Sequence, residues 1–461
     1  MNGEDRSKRD VTGLLVLVLV LLVIVAHPMT SWAIPLAWLG RLLGFSEKIV
    51  EKAPRFTVDD VLIWLAGAFL VLRMILRRDF GVLRSLPLAG VALVVLAALS
   101  MIFAENKLAA IAGVVQYAEY FIVFYLAAVC ALATKERLQL GVRLWLLAGS
   151  AVILWALIDY LNASCDAVHV SGPFQSRNDL GGYLAMLLPF AWGLMLHSRK
   201  FGAWVQSAAL VALGLVVMVA GGPWLAALIG MAVITFARSP KLFPAFALGV
   251  LVLVLAVFPA LPRDNAGTLA TSVYPFDDSP REATASEPAP GFGMFEARRL
   301  SPRYLEWQAA MKSLTPSAYR DLGMSRAEHT RHLLLGVGIG NYQLNIGRYY
   351  GFLPKPNANL TEPYTNNLYL VLAMSVGLPA ALAFVWLAGT FIRRAVTCRR
   401  ETSDDFLRGV FLGGAGALTG LLAASLFTQT IVHGSGPGMV LVFGFIAAGT
   451  RLVERTSLEA R

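Results

Sequence analysis

The chain has 461 residues, of which 57% are hydrophobic and 15% charged, and its mean hydropathy is +0.64. A soluble chain carries about 25% charged residues, so this composition excludes a protein solvated mainly by water, and apolar blocks that do not alternate with polar residues exclude a transmembrane β-barrel. The formal charge of +10 fits either a nucleic-acid partner or a membrane topology, and only the positions of the charges distinguish the two.

Twelve apolar segments follow one another along the chain, most of them long enough to cross a hydrocarbon core of about 30 Å. They are predicted at 12–26, 59–76, 86–103, 107–132, 138–160, 179–197, 203–220, 223–237, 242–260, 366–392, 406–430 and 437–453. The sequence therefore predicts an all-α fold, a polytopic transmembrane helical bundle of about 12 spans. The first segment follows a basic start but is long for a signal peptide and lacks a clear cleavage site, which favours a retained anchor.

Lysine and arginine are concentrated at the two termini and in every second connection between these segments. The basic connections contain Arg77, Arg78 and Arg84; Lys135 and Arg137; Arg199 and Lys200; Arg238 and Lys241; and Arg393, Arg394, Arg399 and Arg400. The connections near 104–106, 221–222 and 431–436 contain almost none. By the positive-inside rule, both termini are predicted to be cytoplasmic, so the net charge indicates topology rather than nucleic-acid binding.

The first outer segment, 27–58, is predicted to lie in the membrane interface. Its apolar Trp38, Leu42 and Phe45 stand beside a charged run at 46–52, a pattern typical of an amphipathic helix that anchors a protein to the membrane surface. We therefore expect this segment to anchor the bundle.

The second outer segment, 161–178, runs directly into the sixth apolar segment. Gly172-Pro173 predicts a turn, and Arg177-Asn178-Asp179 stands where a helix should start at the membrane surface. An arginine at that depth costs free energy unless its side chain reaches water or meets an anion. Arg177 is thus either an interfacial arginine that extends into water or part of an anion site.

The third outer segment, 261–365, is too long for a simple connector and is predicted to be a functional, mostly helical outer loop. It divides the chain into 1–260, with nine predicted helices, the loop itself, and 366–461, with three helices and a cytoplasmic tail. Its first part is rich in Pro, Ala, Ser, Asp and Glu and is predicted to lack fixed structure. A helix is expected from Ser301-Pro302, with Arg299 and Arg303 forming a basic stripe on it.

A second helix of this loop is predicted to open with a capping box formed by Ser325 and Glu328. The glycines that follow, Gly336-Val-Gly-Ile-Gly340, have a spacing also found in dinucleotide-binding loops. Because no strand precedes them, a tight turn between helices is the favoured prediction.

No metal site is expected from the sequence. His329 and His332 lie three apart on the second loop helix, but no carboxylate or thiolate completes a ligand set, which favours a solvated helix face. Cys130 and Cys398 are predicted on the cytoplasmic side and Cys165 on the outer side, so neither a disulfide nor a cysteine metal cluster is predicted.

Three stretches of the outer segments stand out together. They are Ser171-Gly-Pro-Phe-Gln-Ser-Arg-Asn-Asp-Leu-Gly-Gly-Tyr-Leu184; Arg303-Tyr-Leu-Glu-Trp307 with Leu334-Leu-Gly-Val-Gly-Ile-Gly-Asn-Tyr342; and Asn366-Asn-Leu-Tyr-Leu-Val-Leu-Ala-Met-Ser-Val-Gly-Leu-Pro379. In order, spacing and topology they resemble the O-antigen ligase and O-antigen polymerase superfamily, membrane glycosyltransferases with many spans and one large periplasmic loop. The resemblance covers about residues 165–385 in sequence and the whole chain in layout.

The resemblance implies transfer of a glycan from a polyprenyl (undecaprenyl) diphosphate to an acceptor hydroxyl at the periplasmic face, with inversion and without a metal ion or other cofactor. Arg177 and Arg303 match the family's diphosphate-binding arginines, with Arg299 as the competing choice for the second, and guanidinium groups bind such oxygens bidentately. The implied partners are the lipid-linked donor, a glycan or lipid-linked acceptor, membrane lipids and other polysaccharide-assembly proteins of the envelope, with no nucleic acid.

One position departs from the family pattern. Family ligases usually carry His-Asn before Leu-Tyr-Leu, with the histidine assigned to activate the acceptor hydroxyl, whereas this chain has Asn366 there. An amide cannot take a proton near neutral pH, so either the base lies elsewhere or proton removal is late and little assisted. Glu362 is the first substitute and His433 the second. The departure favours a polysaccharide polymerase slightly over a ligase.

The alternative function is a transporter or flippase of lipid-linked sugars or small anions. Transporters commonly have broken spans with ionisable residues near the midplane, often in paired halves. Here the spans are largely uncharged apart from Glu119, which is either functional or bonded to a neighbouring helix, and the polar residues concentrate on one face. This distribution favours chemistry at the outer surface. The third hypothesis, a scaffold for envelope assembly, explains the spans but not the motifs that contain arginine.

Overall fold

The computed structural model describes residues 10–29, 33–34, 56–162, 170–174, 176–218, 222–257, 306–316, 323–349, 365–431 and 435–459. Within these residues the chain is helical apart from one short antiparallel pair of strands, β1 (Ala33–Ile34) and β2 (Phe56–Thr57). The predicted all-α class is therefore confirmed. The interfacial helix predicted within 27–58 lies almost wholly outside the described residues.

The helices before the loop are α1 Val11–Ala26, α2 Val58–Arg77, α3 Leu88–Ser100, α4 Lys107–Ala131, α5 Lys135–Asn162, α6 Arg177–His197, α7 Phe201–Met218, α8 Gly222–Arg238 and α9 Phe243–Val257. Those within and after it are α10 (306–313), α11 Arg326–Leu335, α12 Tyr342–Asn345, α13 Leu368–Ser375, α14 Leu378–Glu401, α15 Asp405–Ala424 and α16 Gly436–Glu459. Short 3₁₀ turns cover Gly81–Ser85, Met101–Phe103, Pro240–Leu242 and Ile346–Tyr349, and α4 contains a π turn at Glu119–Phe124.

Six of the described helices are long and apolar enough to cross a membrane by length and composition, namely α4, α5, α6, α14, α15 and α16. Shorter apolar helices are found at Val11–Ala26, Leu88–Phe103, Trp204–Met218, Gly222–Arg238 and Pro240–Val252. Long apolar helices of this kind indicate an integral membrane protein, as the composition predicted.

Helix α6 lies in the centre of the bundle and packs against α7, α8 and α15. It is buried on every side from Asp179 to Ala191, which is why its sequence is apolar all round. Glycines allow α6 and α15 to approach closely: a Cβ on Gly193 would lie 2.3 Å from the backbone of Gly413, and one on Gly420 would lie 2.3 Å from the carbonyl oxygen of Ala185. Small residues at the contact are typical of helix packing in membranes.

The predicted tenth span, 366–392, is not one helix but two, so that part of the prediction is wrong. The chain breaks at Val376-Gly377, where Gly377 has a φ of +106° and Pro379 follows in the first turn of α14. The glycine turn 336–340 fits against the break: the amide of Val337 donates to the carbonyl of Met374 and that of Gly338 to Ser375, both at 2.9 Å. The turn thus satisfies carbonyl groups at the end of α13 that α14 cannot satisfy.

The same glycine turn joins α11 to α12, so the predicted turn between helices is confirmed, as is the capping box of Ser325 and Glu328 at the start of α11. The side chain of Asn341 accepts from the amide of Asn106 at 2.7 Å and donates to its carbonyl at 3.2 Å. A Cβ on Gly340 would lie 2.7 Å from the carbonyl oxygen of Ala109. The backbone of the glycine turn therefore packs directly against the backbone of α4. This part of the loop is therefore fixed to the ends of α3 and α4.

Candidate functional site

Five segments that are distant in the chain meet at the end of the bundle where α6 begins. They are the first turn of α6, helix α10, the start of α12, residues 365–367 before α13, and residues 425–431 after α15. We call the polar side chains that join them the Asn366 cluster: Asn178, Glu306, Tyr342, Thr365, Asn366 and Gln429. It combines residues from all three stretches that carry the family resemblance.

A local cap fixes the start of α6. The Ser176 hydroxyl accepts from the amide of Asp179 at 3.2 Å and donates to the Asp179 carboxylate at 2.8 Å. This is the N-cap that serine forms at a helix start, and it confirms the predicted start at Arg177. Arg177 is half-buried in the first turn of α6, next to Asn178, whose amide donates to the Asn366 side-chain oxygen at 3.3 Å.

Asn366 is held from the other side by Glu306. One carboxylate oxygen of Glu306 accepts from the backbone amide of Asn366 at 3.2 Å and from its side-chain amide at 3.4 Å. Glu306 is buried, with 7% of its surface exposed, while Asn366 is half-buried. The position where the family has histidine is therefore in direct hydrogen-bond contact with a carboxylate.

The base of the cluster is formed by Thr365, which is fully buried. Its hydroxyl bonds to the Tyr342 hydroxyl, and its carbonyl accepts from the Gln429 side chain at 3.1 Å. Two buried polar atoms nearby, the Gln429 side-chain oxygen and the Trp307 indole nitrogen, have no hydrogen-bond partner among the described residues. Such orphaned groups are where a bound water or a polar ligand is expected.

Of the six predicted site residues, the structure describes Arg177 and Asn366 and brings both to this end of the bundle. Arg299, Arg303, Glu362 and His433 lie outside the described residues.

Sequence reasoning missed Glu306 and Gln429 as site residues. In the sequence, Glu306 is only an acidic residue next to the basic stripe of Arg299 and Arg303. Gln429 was included in the predicted span 406–430, but α15 ends at Ala424 and a polar turn follows. The polar run Thr428-Gln429-Thr430 was the signal that could have revealed the turn.

A second polar group lies among α1, α2 and α4. The Trp64 indole donates to the Glu119 carboxylate at 3.1 Å, and the Asp59 carboxylate lies 3.9 Å from a ring nitrogen of the fully buried His27. Glu119 was predicted to be either functional or bonded to a neighbouring helix, and the structure shows such a bond, from Trp64 of α2.

Among the described residues no three His, Cys, Asp or Glu side chains are grouped so that they could hold a metal ion. The prediction that His329 belongs to a solvated face is wrong, because only 5% of its surface is exposed. A scan against protein-family models gives no match to the chain, and a search of curated proteins gives none.

Proposed function

We propose that the protein is a membrane glycosyltransferase. It transfers or polymerises glycan units from a polyprenyl diphosphate donor to an acceptor hydroxyl at the periplasmic face of a bacterial inner membrane, for O-antigen or exopolysaccharide assembly. The observation that carries this proposal is the Asn366 cluster, in which Asn178 contacts Asn366 across 188 residues of chain and Glu306 contacts it across 60. Three motif stretches that are separate in sequence thus form one polar site.

In the proposed topology the chain crosses the membrane about 12 times, with both termini cytoplasmic and the loop 261–365 periplasmic. Each of the twelve apolar segments overlaps at least one described helix, which supports this count. The Asn366 cluster then lies at the outer end of α6, at the level of the lipid headgroups where a lipid diphosphate is held.

The proposed reaction is a single displacement. The acceptor oxygen bonds to the anomeric carbon while the bond from that carbon to the phosphate oxygen breaks, and the electron pair leaves with the lipid diphosphate. Arg177, with Arg303 or Arg299, binds the diphosphate and stabilises its growing charge. The start of α6 adds the positive end of a helix dipole at the same place.

The acceptor proton needs a base, which Asn366 cannot be. The structure adds Glu306 to the two candidates from the sequence, Glu362 and His433, because its carboxylate already contacts Asn366. In this scheme Asn366 orients the reacting hydroxyl and a neighbouring group accepts its proton.

The test replaces Arg177 and compares surface polysaccharide and lipid-linked intermediates in cells. We expect Arg177→Ala to lower the transfer rate about 10²–10³-fold at normal protein levels, by analogy with loss of an oxyanion donor. Arg177→Lys should recover only part of the activity because an ammonium cannot bind bidentately. The control is Arg84→Ala, at an exposed arginine in the turn Gly81–Ser85. Normal polymer with Arg177→Ala would contradict the diphosphate-binding role.

The intermediate that accumulates in cells without the protein separates two forms of the proposal. A single lipid-linked repeat unit indicates a polymerase, which we slightly prefer, and long lipid-linked chains indicate a ligase.

A transporter or flippase of lipid-linked sugars or small anions remains the second candidate. The break between α13 and α14 favours it, because transporters use broken helices at their binding sites. However, Val376 and Gly377 carry no ionisable group, and the glycine turn occupies the break. Transport or lipid flipping in liposomes without any glycan acceptor is the measurement that would support this candidate.

A further inference from the structure

Four arginines gather where α6 ends, at the opposite end of that helix from the Asn366 cluster. They are Arg199, Arg238, Arg399 and Arg408, which we call the arginine cluster. Arg199 pairs with Asp405 at 2.6 Å, and Arg408 lies 4.0 Å from the same carboxylate. Arg399 donates to the carbonyl of Ala237 in the last turn of α8 at 3.2 Å. The cluster thus joins the ends of α6, α8, α14 and α15.

Among the described residues, acids pair with only part of this cluster. Asp405 is shared by two of the arginines, and Arg238 and Arg399 form no ion pair with any described acid. Arg399 is half-buried and lies within the repulsive field of Arg238, Arg400 and Arg408. Like charges that are partly withdrawn from water repel more strongly than exposed ones, so an anion placed among them would be stabilising.

The nearby carboxylate of Asp404 cannot act as this stabilising anion. Burial opposes the ionisation of Asp404, but the bonds from Lys135 and from the backbone of Leu407 outweigh it and hold the pKa of this carboxyl below its ordinary value. Asp404 is therefore ionised and already committed to Lys135. Neither Asp404 nor Asp405 is therefore available to pair with Arg238 or Arg399.

Exposed apolar surface adjoins the arginines in the chain. Phe236 is 58% exposed and packs edge-to-face on Phe243, and Phe201 and Trp204, just after Arg199, are 80% and 45% exposed. An inorganic anion would leave this surface unused. A lipid has a phosphate for the guanidinium groups and acyl chains for the rings.

We propose that the arginine cluster binds the headgroup of an anionic phospholipid that carries two phosphodiesters. The cluster has four guanidinium groups and Asp405 contacts two of them, so two phosphates match its charge better than one, and guanidinium binds phosphate oxygens bidentately. Basic pockets between membrane helices are known to hold such headgroups. This inference does not depend on the glycosyltransferase proposal, since it concerns the other end of α6.

The test measures lipid binding to the purified full-length protein by native mass spectrometry. It compares cardiolipin, which has two phosphodiesters, with phosphatidylglycerol and phosphatidylcholine. We expect cardiolipin to bind most tightly. The double variant Arg238→Gln/Arg399→Gln should bind it roughly 30-fold more weakly, from about 1 kcal/mol per basic residue.

The matched control is Arg393→Gln/Arg394→Gln, which removes the same charge at exposed positions of α14 and should retain cardiolipin binding. An equal loss in the control, or no loss in the cluster variant, would overturn the proposal in favour of general surface attraction. Displacement of cardiolipin by inorganic pyrophosphate alone would overturn it in favour of a free-anion site. If the double variant does not fold, Arg399→Lys is tested instead. It should weaken cardiolipin binding several-fold, because lysine retains the positive charge but cannot bind a phosphate bidentately as guanidinium does.

Discussion

Asn366 is bonded on both sides, to Asn178 at the start of α6 and to Glu306 in α10. An amide suits this place because it can accept a hydrogen bond from one neighbour and donate one to the other. A neutral histidine could also do both, but here the ionisable group is Glu306, one side chain further away. In our proposal Asn366 orients the acceptor hydroxyl and Glu306 accepts its proton, so two residues share what the resemblance implies for a single histidine.

This division predicts the outcome of a comparison among the three base candidates. We expect Glu306→Gln to lower kcat by about 10²–10⁴, the usual contribution of a general base, with little change in KM. The glutamine oxygen can still accept the bonds from Asn366, so the fold should be retained. Transfer to an acceptor is measured in vitro as a function of pH, beside Glu362→Gln and His433→Ala.

The control for this comparison is Glu401→Gln, at an exposed position near the end of α14. A purely structural role of Glu306 would lower protein stability and leave the pH profile unchanged, which would contradict its assignment as the base. If Glu362→Gln or His433→Ala alone removed the pH dependence, the base would be that residue instead.

At the scale of elements, the broken helix α13–α14 is the feature most dependent on distant residues. Val376, Gly377 and Leu378 continue an apolar run, so hydropathy gives no reason to end a helix there. The reason lies in the end of α11, which packs against the break: a Cβ on Gly377 would come within 2.2 Å of the carbonyl oxygen of Leu334. Gly377 and Pro379 mark a possible helix end in the local sequence. The contact with Leu334, 43 positions earlier, is not visible in a local window.

We therefore expect Gly377→Ala to be strongly destabilising. Alanine pays at least 1–3 kcal/mol for the positive φ, and the contact with Leu334 adds to that. Thermal unfolding in detergent should show a lower midpoint, with loss of transfer activity. The matched control is Gly389→Ala in the same helix, where a Cβ would meet nothing within 4 Å and helix propensity favours alanine by about 1 kcal/mol. Equal midpoints for the two variants would contradict this account of the break.

Most other helices and part of the candidate site could be predicted from the sequence. Charged residues bound most apolar blocks, so the ends of α5 and α6 fall within a few residues of the prediction. Arg177 and Asn366 could be predicted as candidates because each belongs to a motif that is contiguous in sequence. The contacts of Glu306 and Gln429 with 365–366 could not be predicted, because they join chain segments 60 or more residues apart.

On the scale of the whole molecule, the described structure is polarised along α6. The Asn366 cluster stands at its start and the arginine cluster beyond its end, with an apolar, buried helix between them. No Asp, Glu, His, Lys or Arg lies on α6 between Asp179 and His197. Two separate sites, one for a lipid-linked donor and one for a structural lipid, fit this arrangement better than a continuous path through the bundle.

The polarity is tested by asking which end faces the periplasm. In a background with Cys130, Cys165 and Cys398 replaced by serine, single cysteines are introduced by Thr330→Cys in α11 and by Glu401→Cys at the end of α14, both exposed positions. We expect a membrane-impermeant maleimide added to intact cells with a permeable outer membrane to label the first and spare the second. After the inner membrane is permeabilised, both should react. Labelling of Glu401→Cys in intact cells would reverse the proposed topology and move the Asn366 cluster to the cytoplasmic side, where a periplasmic transfer could not occur.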